Sequence, residues 1–259
     1  AKKKVAAPVL LALITLLFAA TTATAAPAKV AITKVDADKE YAKGNYLQAS
    51  KDYSDLLKVG ESVELYYNLG NCYYRLGNIT KSIIAYEKAH RLSPSDRDVT
   101  FNLEFVREKT IDKIECQEKN FFSAGYTMLQ NLMDMDAWAR LSIVAFFACL
   151  GMAMLFLLGR DEWMRKLGFY VALLSVFVFV FYTLFAWQQK HNFDARDRAV
   201  VVAPSASVKL TPSDSSADAV VVHEGTAVQI VDRTMSDWYS VKLDDGKEGW
   251  LKRNSLEII

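Results

Sequence analysis

The sequence predicts a multidomain membrane protein made of an α-helical solenoid, a two-helix transmembrane hairpin and a small all-β barrel, in that order. Three observations carry this. Two long apolar runs, Leu141 to Leu158 and Leu167 to Trp187, hold no charged residue and are separated by a short charged stretch. A set of small and aromatic residues between Ala37 and Tyr53 recurs between Gly70 and Tyr86 at a constant spacing of 33 residues. From Ala199 onward the chain changes to short β-branched or alternating runs punctuated by turn residues.

The N-terminus has the three parts of a secretory signal. Lys2, Lys3 and Lys4 form a basic start, Val5 to Ala20 an apolar stretch, and Ala23-Thr24-Ala25 a small-residue cleavage pattern followed by Ala26-Pro27. Residues 1–25 are therefore expected to be a signal peptide. An uncleaved anchor is the alternative, and it leaves the same topology. Two later spans return the chain to the side it came from, so both soluble parts are expected outside, in the periplasm against the inner membrane. Charge adds little to this, because Arg160, Arg165 and Lys166 between the spans are balanced by Lys190, Arg196 and Arg198 beyond them.

Residues 31–114 are rich in Tyr, Leu, Ala, Lys and Glu, with turn signals at Gly44-Asn45, Gly60 and Gly77-Asn78 and a helix breaker at Pro94. Two helical hairpins fit. Ala37, Tyr41, Gly44-Asn45, Ala49 and Tyr53 recur as Gly70, Tyr74, Gly77-Asn78, Ser82 and Tyr86, the self-similarity that marks a repeat array. The second copy resembles the tetratricopeptide repeat (TPR): Tyr66, Leu69, Gly70 and Tyr73 match its first helix, and Ser82, Tyr86, Ala89 and Pro94 its second. Small residues let the paired helices approach while large ones fill the gaps. The first copy is weaker at its start, with Asp36 where the second has Leu69. After Pro94, Ser95 and Asp96 are candidate N-caps for a further helix carrying Phe101, Leu103, Phe105, Val106 and Ile111, either half a third repeat or a capping helix.

The TPR resemblance implies a TPR solenoid whose first helices line a groove for a peptide or partner helix. On this chain the groove would be lined by Asp38, Tyr41, Tyr67, Asn71, Tyr74, Arg75, Phe101 and Phe105. The competing reading is that the tyrosines only cover the stack. Aromatics with Arg are favoured at contact surfaces, and the packing motif does not demand Tyr67 or Tyr74.

The spans come next. At about 1.5 Å per residue the two apolar runs reach about 27 and 32 Å, enough for a hydrocarbon core of about 30 Å. Trp138 and Trp187 stand at the outer ends and Trp163 in the loop, as expected of interfacial aromatics. Transmembrane helices are expected over 138–158 and 167–187, with a cytoplasmic loop over 159–166. Cys149 reads as a packing residue within the first span. Cys72 and Cys116 could pair in an exported compartment, although Cys72 falls among packing positions.

Strands are expected over Val200 to Val202, Ala219 to Val222, Ala227 to Val231, Trp238 to Leu243 and Glu248 to Leu251. Asp245-Gly246 supplies a tight hairpin turn. Gly225-Thr226, Asp237-Trp238-Tyr239-Ser240-Val241, Asp245-Gly246 and Gly249-Trp250-Leu251 together resemble the bacterial SH3-like barrel over residues 196–259. Val208-Lys209-Leu210 departs from that pattern. Trp238, Tyr239 and Trp250 each have two readings, core residue or exposed peptide-binding aromatic.

Composition excludes several functions. A net charge of +1 with no basic stripe argues against nucleic acid as a partner. His90, His191 and His223 are isolated, and no phosphate loop, GxSxG, HExxH or CxxC motif is present. No catalytic residue, cofactor or metal is expected, and the chain does not read as an enzyme.

The order of signal, TPR pair, hairpin and SH3-like barrel, with Asn102-Leu103-Glu104 after the repeats, resembles the BatE family of the Bacteroidetes aerotolerance operon. That resemblance implies a membrane-held periplasmic scaffold working with von Willebrand factor A-domain membrane proteins and MoxR-type ATPases in oxygen or stress tolerance. The alternative is a cell-wall sensor binding peptidoglycan peptides through the barrel.

Overall fold

A computed structural model describes residues 32–114 and 121–259. The expected signal segment and Cys116 of the expected cysteine pair lie outside those residues.

Five helices open the described chain: α1 (Lys34–Ala42), α2 (Tyr46–Leu57), α3 (Val63–Arg75), α4 (Ile79–Leu92) and α5 (Arg97–Arg107). The 33-residue period is written in their hydrogen bonds. The Tyr53 hydroxyl donates to Asp38 Oδ1 at 2.6 Å, and the Tyr86 hydroxyl, one period on, donates to Asn71 Oδ1 at 2.6 Å. Helix ends repeat in the same way. Gly44 and Gly77 take φ of 82° and 75°, and the following Asn45 and Asn78 amides reach back to the Glu40 and Tyr73 carbonyls, both at 2.9 Å. This is a Schellman ending, which needs a residue tolerant of the left-handed region at its turn.

The weak start of the first copy has a local cause. Asp36 is the third residue of a capping box, receiving the Thr33 amide on its carboxylate while its own amide bonds the Thr33 hydroxyl. Helix α1 begins at Lys34 and is 9 residues long against 13 in α3, so the position equivalent to Leu69 falls in the first turn and serves the capping box, not the core. At α5 Asp96 is the cap, accepting from the Asp98 and Val99 amides. Ser95 instead donates to Asp134 at 2.7 Å, and Ser93 joins it at 3.0 Å.

Packing follows the small-large logic. A Cβ on Gly70 would lie 2.7 Å from the Tyr86 ring, so the ring occupies the space glycine leaves. Ala37, Ala49, Tyr53, Leu69, Cys72 and Ala85 form one core. Burial there pushes the Cys72 thiol up to about 12.

Helices α6 (Phe121–Gln130), α7 (Met135–Leu158) and α8 (Glu162–Ala195) follow. The latter two are long and apolar enough to cross a membrane. They turn at Gly159-Arg160-Asp161, so the expected eight-residue loop shortens and Glu162 to Lys166 already belong to α8. Gly168 brings the pair together: a Cβ there would stand 2.7 Å from the Phe156 nitrogen and 2.8 Å from the Met152 carbonyl. Trp138 is buried, its ring 5.1 Å from Phe185 and its indole nitrogen donating to the Gln130 carbonyl at 3.1 Å.

Helix α8 runs 34 residues, about 51 Å at 1.5 Å each, and ends where Arg196 takes φ of 44°. The chain then enters a seven-stranded antiparallel sheet in the order β3-β2-β6-β5-β4-β1-β7. The strands are β1 (Arg198–Val201), β2 (Ser205–Lys209), β3 (Asp218–His223), β4 (Ala227–Asp232), β5 (Trp238–Leu243), β6 (Glu248–Lys252) and β7 (Leu256–Ile258). Five match the expected runs within a residue or two. Strands β2 and β7 were not expected, the first because Ser-Ala-Ser-Val-Lys has no apolar run and the second because it is three residues long. Val201, Val208, Val222, Val228, Val241 and Leu251, drawn from β1 to β6, meet in one core, and Leu256 and Ile258 of β7 pack against it.

Sheet and repeats are docked. Ile83 and Ile84 of α4, Leu103 and Val106 of α5, Val200 of β1 and the terminal Ile259 share a second core. Around it Lys88 pairs with Glu257 at 2.7 Å and the Thr80 hydroxyl donates to Glu224 at 3.0 Å.

Candidate functional site

The groove expected from the sequence is set by α1, α3 and α5, and the structure divides its eight residues into three groups. Asp38 and Asn71 are each engaged by a tyrosine of the following helix. Asp38 also receives the Lys34 ammonium at 2.7 Å. Burial works against its charge, but the bonds from Lys34 and Tyr53 prevail and hold its carboxyl below the usual range. These two residues fix how paired helices meet.

Tyr41 stacks edge-on against Tyr46 at 5.2 Å, and a hydrogen bond with Tyr41 holds the exposed Arg75 guanidinium above its ordinary value. Tyr67 accepts a hydrogen bond from Asn102 Nδ2 at 3.0 Å, with its ring 5.8 Å from Tyr86. Both Tyr67 and Tyr74 pack against the core shared by repeats and sheet, so they are half-buried and partly structural.

The remaining residues form an open surface. Phe101 is 68% exposed and Phe105 37% exposed, although both lie on a helix whose other face is buried through Val99, Leu103 and Val106. The Phe105 and Tyr74 rings meet edge-on at 5.6 Å, and the Lys109 ammonium stands 4.4 Å from the Phe105 ring centre. Lys109 was not among the expected groove residues. It lies beyond the helix end, and nothing in its local sequence marks it.

A family model for the tetratricopeptide repeat matches residues 63–96. The matched segment is a tetratricopeptide repeat. It holds α3, α4 and the loop to the Asp96 cap, and therefore the Asn71–Tyr86 bond and the Gly70 contact. The TPR region supports a role in protein–protein interaction. No curated protein matches the chain.

Three β residues were also expected to bind partners. Strand alternation separates them: in β5 Tyr239, Val241 and Leu243 point into the sheet core, while Trp238 lies on the opposite face. Tyr239 is thus a core residue, and its ring is not presented to a ligand. Register sets Ser240 against Trp250 and Trp238 against Lys252, which puts both tryptophans on the outward face of β5 and β6. The Lys252 ammonium sits 5.5 Å from the Trp238 ring centre.

The charged cluster between TPR and sheet escaped sequence reasoning altogether. Glu87 of α4 is 2% exposed and lies against Arg107 and, at 3.7 Å, Arg198 of β1. Burial opposes its ionisation, yet the two guanidinium groups outweigh it and hold the carboxyl below its usual range. Asp112, beyond α5, accepts from the His223 amide at 2.6 Å, from His223 Nδ1 at 2.8 Å and from the Thr226 hydroxyl at 2.6 Å. Among the described residues no cluster of His, Cys, Asp and Glu is placed to hold a metal ion.

Proposed function

We propose that the protein is a membrane-held scaffold whose TPR groove receives a peptide or helix of a partner protein. The observation that carries this is the open aromatic surface of Phe101 and Phe105, beside Tyr74 and Lys109, at the end of the matched repeat. Aromatic side chains that a fold leaves exposed next to a cation suit a partner segment with apolar and acidic residues. In this reading the two apolar helices serve as the anchor, and a secretory signal at the basic and apolar N-terminal stretch supports TPR and sheet on the periplasmic side of the inner membrane. The BatE-like order of modules points to von Willebrand factor A-domain membrane proteins as partners, in an aerotolerance or stress system.

The test is crosslinking in the native membrane from a photoreactive residue introduced at Phe101, with the captured protein identified. Capture of a membrane protein, lost when Phe105→Ala is added, supports the reading. Crosslinks to lipid and bulk protein alone, with no change on Phe105→Ala, would refute it.

A second reading has its own observation. Trp238 and Trp250 share one outward face of what we read as an SH3-like barrel, a surface suited to cell-wall peptides. Full-length protein that sediments with peptidoglycan sacculi, and no longer does so as Trp250→Ala, favours this sensor. The full chain is required, because Val200 and Ile259 are in the core shared with α4 and α5, and an isolated sheet would expose them.

A further inference from the structure

Helix α6 is amphipathic in the wrong sense for water. At about 100° per residue, Ser123, Thr127 and Gln130 fall on one narrow arc, and the phenylalanines, Met128 and Leu129 on the broad remainder. The polar arc is the more covered one: Gln130 is buried, and Ser123 and Thr127 are half-buried. The apolar arc is the bare one, with Phe121 and Phe122 each 85% exposed and Met128 72% exposed. No charged residue occurs from Phe121 to Met133.

The helix is held at a defined height on the hairpin. Gln189 of α8 donates to the Gln130 and Met133 carbonyls at 2.6 and 2.9 Å. The Tyr126 ring meets Phe185 edge-on at 5.4 Å. Phe185 precedes Trp187, the last residue of the second apolar run, by two positions, which is about 3 Å along a helix. The exposed arc of α6 is therefore continuous with the lipid-facing surface expected of α7 and α8, at its rim.

We infer that α6 lies in the bilayer interface, its apolar arc set among lipid acyl chains beside the hairpin. This rests on the reading of α7 and α8 as membrane spans. The occupant is lipid because the face is broad, uncharged and aromatic, and because it extends a surface that itself requires lipid. Repeats and sheet would then be held at the membrane by three helices, one of them lying along its surface. The Asp134 carboxylate just past α6, bonded by Ser93 and Ser95, would mark where polar contacts resume.

The test uses the full chain in phosphatidylcholine–phosphatidylglycerol vesicles, labelled with a lipid-soluble aryl diazirine and mapped by peptide mass spectrometry. Label is expected on peptides covering Phe121 to Met133 as well as on α7 and α8. Label on α7 and α8 but not on 121–133 overturns this inference and leaves the spans standing; label on none of them overturns both. Label on 121–133 that fades as the protein-to-lipid ratio rises assigns the face to a second copy of the chain and also overturns it. In the double variant Phe121→Asp, Phe122→Asp, label on 121–133 should fall several-fold while that on α8 is kept; unchanged label in α6 counts against the inference.

Discussion

Glu87 and Arg198 lie 3.7 Å apart across the boundary between repeat and sheet, and the glutamate has almost no contact with solvent. A buried carboxylate is tolerated only where cations compensate it, so the approach of β1 to α4 is chemically specified as well as apolar. The TPR and the sheet are one docked body.

Removing one cation exposes that dependence. Arg107→Ala leaves Glu87 with Arg198 as its remaining guanidinium, and breaking a buried pair from one side costs up to about 3 kcal/mol. The expected result in urea denaturation of the detergent-solubilised protein is a lower midpoint. Glu87→Gln in the same background should recover part of the loss, because the uncompensated charge is gone.

Acid should loosen the same boundary. The carboxyls of Glu87 and Asp112 are both held below their ordinary values, in each case by favourable contacts that outweigh burial. A depressed folded value means the stabilisation is complete above the unfolded carboxylate range of about 4 and is lost as pH falls through the lower folded values. Limited proteolysis between pH 7 and pH 3 should show protection at the docked loops down to about pH 4 and its loss below. Asp112→Asn, which cannot ionise, should flatten that dependence while starting from weaker protection.

The close contact at Gly70 sets a steric limit. Gly70→Ala puts a methyl group 2.7 Å from the Tyr86 ring and should cost about 1–3 kcal/mol, read as a lower melting temperature. Gly60→Ala, with nothing within 4 Å, should be neutral. Equal effects of the two would show that the ring moves freely.

Groove variants should separate by burial. Tyr86→Phe removes the bond to Asn71 and should cost about 1 kcal/mol without altering partner capture. Phe101→Ala should do the reverse, leaving the melting temperature within about 0.5 kcal/mol equivalents of wild type because the ring is exposed. Thermal denaturation paired with quantitative pulldown of full-length protein checks both.

What could be read from the sequence was periodic or local. Gly44 and Gly77, or Tyr53 and Tyr86, announce themselves by spacing, and Asp245-Gly246 by the turn it allows. The capping box at Thr33 and Asp36 is present in the sequence, but a missing core residue and a helix start look alike in a residue pattern. The docking core was not legible. Ile83 and Val200 are 117 positions apart by number and each has the pattern of its own module, so nothing marks them as mutual neighbours. Helix α6 is short, lies between two better-marked segments and has no breaker to announce it. Among site residues, Tyr239 was separable from Trp238 only by strand phase, which register fixes.

Helix α8 enters the sheet through Arg196 and Asp197 with no flexible linker, and near its end Phe193 lies under the Arg91 guanidinium at 4.6 Å. Its length therefore acts as an angular setting. One residue added between Gln188 and Ala195 would turn everything beyond it by about 100° and raise it by about 1.5 Å. The number of residues in those last two turns, more than their identity, sets the angle at which the sheet leaves the helix.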